Sequence, residues 1–393
     1  MNPAGNGARA GGMVTVENGA RPGGMEPADL LGIAVVGLGY WGPNLVRNLW
    51  ETEGAWVAAA CDRRPEALRS IAKRYPTIDC TERFETVLGD DRVSAVVLAT
   101  PVATHYKLAR EALLAGKHVF VEKPLAQRSD ECRDLITLAE QRELVLMPGH
   151  TFLYSPPVRK VKQLVDDGEL GEVYFGTFSR VNLGIHQSDA HVVRDLGPHD
   201  FSMLLHWLGE PIFVRAIGRD SVGSGQLDVA FVDMGMPNGA LVHMEFSWLS
   251  PTKLRRTVLV GSGKMVVYED TSSEQVRVYD RGVEIVEPQS FGEHQLSYRT
   301  GDVLTPRLDP DEPLRGEMAD FVGAIRERRE PISSKKLGLD VVRLIEAAEL
   351  SLEYNGSPQF LENMPDGDRR RSGDRRRSRG GMPVVHGNWS TQA

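Results

Sequence analysis

Between residues 31 and 147, short apolar runs alternate with stretches of helical spacing, and this alternation limits the possible folds more than any other feature. The runs Ile33–Val36, Val57–Cys61, Ala95–Ala99, His118–Val121 and Leu144–Met147 are rich in Val, Ile, Leu and Ala with little polar interruption. That is the pattern of strands covered on both faces. Between them, Pro65–Tyr75, Thr104–Ala115 and Ser129–Gln141 carry apolar residues at helical intervals. Strand and helix in regular alternation predict an α/β Rossmann-type, doubly wound parallel sheet.

After about residue 150 the strands lengthen and take a period of two, as in Val173–Leu183, Leu227–Met236, Ala240–Leu249, Arg256–Val260, Lys264–Tyr268 and Gln275–Tyr279. Turns such as Pro237-Asn238-Gly239 separate them, as hairpins require. Helical segments over 313–329 and 335–354 follow. An α+β domain with an open, mostly antiparallel sheet is expected here, helices on one face and the other face free for a substrate or a second subunit. The expected division is a disordered tail over 1–30, a dinucleotide-binding domain over 31–150, a substrate and oligomerisation domain over 151–362, and a disordered Arg-rich tail over 363–393.

Composition narrows the function classes. The chain has 393 residues, 41% hydrophobic and 25% charged, with a net charge of -8. An acidic balance argues against nucleic acid as the main partner. Three cysteines (Cys61, Cys80 and Cys132) lack disulfide or zinc spacing, so reduced thiols are expected. There is no apolar run long enough to span a membrane and no signal-peptide pattern at the N-terminus, which makes the cytoplasm the expected compartment. The C-terminal tail repeats Gly-Asp-Arg-Arg-Arg-Ser at Gly367–Ser372 and Gly373–Ser378. Such a segment cannot bury enough apolar surface to offset its ordering entropy.

Two motifs carry the chemistry. In Gly37-Leu38-Gly39-Tyr40-Trp41-Gly42, a strand precedes and a helix follows. Gly37 permits the turn, Gly39 lets a pyrophosphate approach the backbone, and Gly42 lets helix and strand pack. The phosphates then meet the helix N-terminus. A lone motif of this kind is weak in a chain with 40 glycines; its place after the first strand makes it specific. Asp62 ends the second strand, 20 residues past Gly42, where a carboxylate accepts from a ribose 2′-hydroxyl and repels a 2′-phosphate. NAD is therefore expected. Arg63 and Arg64 follow directly and keep NADP possible; a competing reading has Asp62 capping the next helix. Thr100 and Pro101 at the third strand's end, and His105 at the mouth of the next helix, are candidate cofactor contacts. The second motif, Glu122-Lys123-Pro124, sets a lysine at a later strand end, where a nicotinamide would lie, with Pro124 a candidate cis position.

Downstream, Asp195-Leu196-Gly197-Pro198-His199-Asp200 precedes the stripe Phe201, Leu204, Leu205 and Leu208, which leaves His199 nearly opposite the buried face. Pro198 fits the first turn of that helix, and Asp195 then lies within reach of His199. A third metal ligand is missing at usual spacing, so no metal is expected.

Taken together these pieces resemble the Gfo/Idh/MocA family of NAD(P)-dependent oxidoreductases, named for glucose-fructose oxidoreductase, inositol dehydrogenase and a rhizopine-catabolism protein. The resemblance covers about 31–360. It implies that Lys123, Asp195 and His199 form the catalytic group, and that Gly37, Gly39, Tyr40, Trp41, Gly42, Asp62, Arg63, Thr100, Pro101, His105, Glu122 and Lys123 hold the cofactor. Oxidation of a secondary alcohol needs an acceptor for the hydroxyl proton. His199, titrating near neutrality, is the favoured base, with Lys123 stabilising the alkoxide. The stretches Gly149–Pro156, Arg180–Gly184 and Ser247–Pro251 resemble a subgroup linked to nucleotide-sugar oxidation, including 3-dehydrogenation of UDP-N-acetylglucosaminuronic acid. On that likeness Tyr154, Arg180 and Asn182 are candidate substrate donors. The implied activity is an NAD-dependent sugar or nucleotide-sugar dehydrogenase acting at carbon 3 or in reverse, and the implied assembly a homodimer or tetramer. A cyclitol or aminoglycoside-precursor dehydrogenase and a non-catalytic NAD-binding sensor are the alternatives.

Overall fold

A computed structural model describes residues 30–184, 190–286 and 295–363. The tail segments before residue 30 and after 363 lie outside the described residues. The first sheet holds β1 (Leu31–Val36), β2 (Ala55–Cys61), β3 (Asp79–Thr81), β4 (Ala95–Leu98), β5 (His118–Glu122) and β6 (Leu146–Gly149) in the order β3-β2-β1-β4-β5-β6. Each neighbouring pair runs parallel. Helices α1 (Gly42–Glu51), α2 (Pro65–Arg74), α3 (Phe84–Leu88), α4 (His105–Leu114) and α5 (Ser129–Gln141) connect them.

Strand order reverses between β1 and β4, so the connections leaving those two strands diverge and open a crevice at their C-terminal ends. Two strands of this sheet depart from the sequence reading. β3 is a three-residue edge strand, Asp-Cys-Thr, with no apolar run to reveal it. β6 begins at Leu146 rather than Leu144, because the Leu144 amide still bonds to Ala139 O at the end of α5.

The second sheet contains β7 (Val173–Leu183), β8 (Phe213–Arg219), β9 (Val229–Gly235), β10 (Leu241–Ser247), β11 (Leu249–Gly261), β12 (Met265–Glu269), β13 (Val276–Tyr279), β16 (Val303–Leu304) and β17 (Gln359–Phe360). A separate hairpin, β14 (Gly282–Val286) with β15 (Gln295–Arg299), lies before β16 in the chain. The nine strands run in the order β16-β13-β12-β11-β7-β10-β9-β8-β17. The β7–β10 pair is parallel and the others are antiparallel.

One face, carrying Phe178, Val214, Ala216, Val232, Met244 and Phe246, is buried with residues of α6 (Pro156–Asp166), α7 (Val192–Leu208) and α9 (Lys335–Glu353). The opposite face leaves Phe175, Ile217, Phe231 and Leu241 exposed. Helix α8 (Pro313–Glu327) returns to the first sheet, where Leu314, Met318, Phe321 and Val322 share a core with Ile33, Val35 and Phe120. No described helix is long and apolar enough to cross a membrane.

Candidate active site

The glycine loop is sterically determined. Gly37 has φ +90°, and a Cβ there would lie 2.5 Å from Ala99 O; a Cβ on Gly42 would lie 2.1 Å from Gly37 O. Neither position accepts a side chain. A Cβ on Gly39 would meet nothing within 4 Å, so open space lies over the loop where a pyrophosphate needs to approach. Helix α1 starts behind it with no side-chain cap at Trp41 and no acid in its first turn, which leaves its amides and positive dipole end available to an anion. Tyr40 and Trp41 stand exposed beside the loop in an edge-to-face pair. These residues fit a dinucleotide.

Asp62 lies at the adjoining strand end. Its Oδ2 accepts the Leu38 amide at 2.7 Å, and Arg64 holds both of its oxygens, at 3.1 and 3.0 Å. Burial works to raise its pKa, but the bonds from Arg64 and the Leu38 amide prevail and hold the carboxyl below the usual range. It does not cap α2, whose N-cap is Arg64. Arg63 is exposed, Pro101 is exposed and Thr100 half-buried, its hydroxyl oxygen accepting from the Thr104 hydroxyl at 2.8 Å.

His105 departs from expectation in part. It stands at the mouth of α4 as expected, but it is buried and turned away from the cofactor crevice, its ring nitrogens 2.9 Å from Pro124 O and 2.8 Å from Thr100 O. It braces the β4 end against the turn after Lys123, because α4 begins at His105 itself and turns the ring inward. Glu122 is likewise buried, and its carboxylate accepts the Lys123 amide at 3.3 Å.

Lys123 leaves the end of β5 and meets α7 from the other half of the chain: Nζ donates to Asp195 O at 3.4 Å. Burial lowers its pKa, against the pull of Asp195 and Glu122. Helix α7 begins at Val192, six residues before Pro198, so Pro198 sits inside the helix and not in its first turn. The missing N–H frees the Arg194 carbonyl. Asp195 then lies in the first turn, and its Oδ2 accepts the Trp248 indole N–H at 3.1 Å instead of reaching His199. His199 packs against Phe152, ring centres 5.0 Å apart. Arg180 also meets Phe152, its guanidinium 4.9 Å from the ring centre. Burial first, then Lys123, Arg180, His150 and Arg255, push the His199 pKa well below that of a free imidazole. A base titrating near neutrality is therefore the wrong description of His199: it is held uncharged.

The candidate substrate donors separate. Tyr154 is a core residue, its hydroxyl donating to Asp320 at 2.7 Å and accepting from the Ser333 amide at 3.1 Å. Arg180 is buried, with Nε and Nη2 at 2.7 and 2.9 Å from the two Asp200 oxygens; the pairing leaves it to shape the site from behind. Asn182, two residues on along β7, is half-buried and near Trp248: a Cβ on Gly184 would lie 3.2 Å from Asn182 Nδ2 and 2.6 Å from the Trp248 ring.

One residue the motifs did not single out joins the group. His150 follows β6, next to Lys123 by the register that pairs Glu122 with Gly149. It is 1% exposed, neither ring nitrogen has a partner among the described residues, and burial and Lys123 hold its pKa down to about 3. The signal was available, since parallel strands place their C-terminal residues side by side.

The sequence profile described as the oxidoreductase family with an NAD-binding Rossmann fold, GFO_IDH_MocA, matches residues 31–150, and the profile of the GFO/IDH/MocA C-terminal domain matches 158–267. The UDP-N-acetylglucosamine 3-dehydrogenase of Acidithiobacillus ferrooxidans is 29% identical over 279 residues, 70% of this chain and 82% of that protein. The inositol 2-dehydrogenase of Rhizobium meliloti is 26% identical over 318 residues, 76% of this chain and 89% of that protein. The solved structure of GenD2 from gentamicin A biosynthesis, in complex with NAD, is 25% identical with a TM-score of 0.71, covering 87% of this chain and 99% of that one.

Proposed function

The chain belongs to the Gfo/Idh/MocA family of NAD-binding oxidoreductases, and from that premise we propose that it oxidises a ring hydroxyl of a sugar or nucleotide-sugar, at carbon 3, or reduces the corresponding ketone. The observation that carries this reading is the convergence of Lys123 from the first sheet and His199 from α7 at the edge that bears the glycine loop. The Gly37–Gly42 loop with Tyr40 and Trp41 would hold the pyrophosphate, Asp62 the adenosine ribose, and Thr100, Pro101 and Lys123 the remaining length. NAD, when bound, supplies the hydride acceptor. On this reading Lys123 takes the carbinol proton, because burial raises its amine fraction at neutral pH. The Asp195 carbonyl orients its Nζ, and an uncharged His199 hydrogen-bonds the same hydroxyl oxygen.

Likeness to a UDP-N-acetylglucosamine 3-dehydrogenase favours a nucleotide-sugar, and Asn182 beside Trp248 is the substrate contact that survives the placement of Tyr154 and Arg180. Likeness to GenD2 and to an inositol dehydrogenase supports a cyclitol or aminoglycoside precursor as the second reading. The test is NAD reduction against UDP- and dTDP-sugars, free hexoses, inositols and aminoglycoside precursors, with Lys123→Ala as the blank. Turnover of a nucleotide-sugar alone supports the first reading, and of a cyclitol alone the second. Silence in both the oxidative and reductive directions while NAD binds defeats both. The exposed apolar side chains on the open sheet face support a homodimer or tetramer.

Cofactor choice gives a separate expectation. With Asp62 ionised at the ribose end, Asp62→Ala should narrow the preference for NAD over NADP by roughly tenfold, the worth of a hydrogen bond to a charged group. Titration of the purified protein with each dinucleotide reads it. An unchanged ratio would reduce Asp62 to a partner of Arg64.

A further inference from the structure

Two buried carboxyls, Glu122 beside Lys123 and Glu317 beside Glu122, form no ion pair among the described residues. Glu122, the last residue of β5, is 8% exposed, and the hydrogen bond it accepts comes from the Lys123 amide. Glu317, on α8, is fully buried; its Oε2 accepts the Thr151 hydroxyl at 2.7 Å and its Oε1 has no partner. Sheet register brings the two together. Glu122 pairs with Gly149 at the end of β6, and Thr151, which holds Glu317, follows two residues later.

The surrounding charges do not neutralise this pair. On α8, Asp320 also faces Glu317, but it is satisfied by Arg329, Tyr154 and the Ile332 amide, and Arg329 is shared between Asp320 and Glu327. On β5, Lys123 acts on Glu122. Beyond Lys123 stand Asp195 of α7, Arg180 of β7 (held by Asp200), and the rings of His105, His150 and His199. Lys123 is the group common to both sides. Two buried carboxylates against one ammonium would leave a negative charge uncompensated, which a low-dielectric interior does not tolerate. Burial pushes the Glu122 carboxyl up to about 7. Burial, and then Glu122, raise Glu317 well above the carboxylate range.

The geometry points to a buried proton store behind the lysine: Glu317 keeps its proton, Glu122 gains and loses one, and the charge on Glu122 sets whether Lys123 stands as ammonium or amine. This deepens the reading in which Lys123 is the base, and it separates the acid pair, as tuning residues, from the groups that touch substrate. Below neutrality Glu122 is protonated and its attraction for the lysine proton is gone. Above neutrality the carboxylate forms and favours the ammonium. The two titrations are coupled and belong to the set, not to single residues.

Two measurements on the full chain without substrate test this, so a wrong sugar assignment cannot be mistaken for its failure. Infrared spectra should show the C=O band of protonated carboxyls at neutral pH. A component that persists to high pH should vanish in Glu317→Gln, and one that fades as pH rises through about 7 should vanish in Glu122→Gln. Pulse labelling with an amine-reactive reagent, read at the Lys123 peptide by mass spectrometry, reports the free amine. Glu122→Gln should raise the rate at pH 8 roughly tenfold, the loss of one adjacent opposite charge. Glu317→Gln should leave it unchanged, since the amide copies a neutral acid. No protonated band, a band that neither variant alters, or equal acceleration by both variants would overturn the proposal; the last would mean that Glu317 is ionised.

Discussion

Replacing Lys123 with alanine is expected to reduce turnover about 100-fold or more while NAD still binds, the scale of losing a general base together with alkoxide stabilisation. That is about 2.7 kcal/mol of barrier. Lys123 is a cation that acts on Glu122 and whose Nζ also reaches α7. Because burial favours its amine form, a larger fraction of Lys123 stands ready to accept a proton than of a solvated lysine at the same pH. His199 does not replace it: burial, with Lys123, Arg180, His150 and Arg255, leaves that ring weakly basic. The binding half should survive, because the steric requirements of the cradle involve Gly37, Gly42, Ala99 and Thr100 and not Lys123. Initial rates on a substrate identified from the panel, beside calorimetric titration with NAD, separate the two. Turnover within a few-fold of the parent would remove Lys123 from the proton transfer and leave His199 to be reconsidered. Loss of NAD affinity with no change in kcat would make it a cofactor ligand alone.

How much of this was legible in the sequence depended on whether a feature is local. The first sheet was, since Ile33–Val36 and its counterparts are buried on both faces and have to read as unbroken apolar runs. The glycine loop was, because its three constraints fall within six residues. β3 was not: an edge strand of three residues carries no hydrophobic period. Pro198 misled because proline favours a first turn, whereas α7 carries it inside at the loss of one backbone donor. Likeness to the nucleotide-sugar subgroup pointed to Tyr154 and Arg180 as donors, yet a donor's role is fixed by its partner. For Tyr154 that partner is Asp320, 166 positions away, which no local pattern reveals. Glu317 was invisible for the same reason, brought to Thr151 across 166 positions by the return of α8 to the first sheet. The basicity of His199 depends on burial and on cations from β5, β7 and β11, so sequence could offer only the free imidazole's value.

The pair Arg180–Asp200 should dominate the stability of the second half of the chain. Both side chains are nearly inaccessible, 3% and 4% exposed, and the contact is two-pronged, at 2.7 and 2.9 Å. Against hydrophobic residues of the same volume, such a pair contributes little net stability, because each charge has been stripped of water. Breaking it is another matter. Asp200→Ala leaves a buried guanidinium without the carboxylate that holds both of its bonds, and should cost about 3–5 kcal/mol. In a domain of this size that corresponds to a fall in Tm of roughly 6–20 °C. Replacing both residues, as Arg180→Met with Asp200→Leu, should recover most of the loss, since no buried charge is then left alone. The stacking order adds a functional consequence: Arg180 lies against Phe152, and Phe152 against His199. The double variant should therefore fold yet bind substrate with a raised KM, because the guanidinium that lies over Phe152, the ring packed on His199, is gone. Thermal melts of the three proteins decide it. A loss below about 1 kcal/mol in Asp200→Ala would mean that water reaches the guanidinium and that the pair behaves as a surface contact. A double variant as unstable as the single one would shift the cost from charge to packing around Phe152.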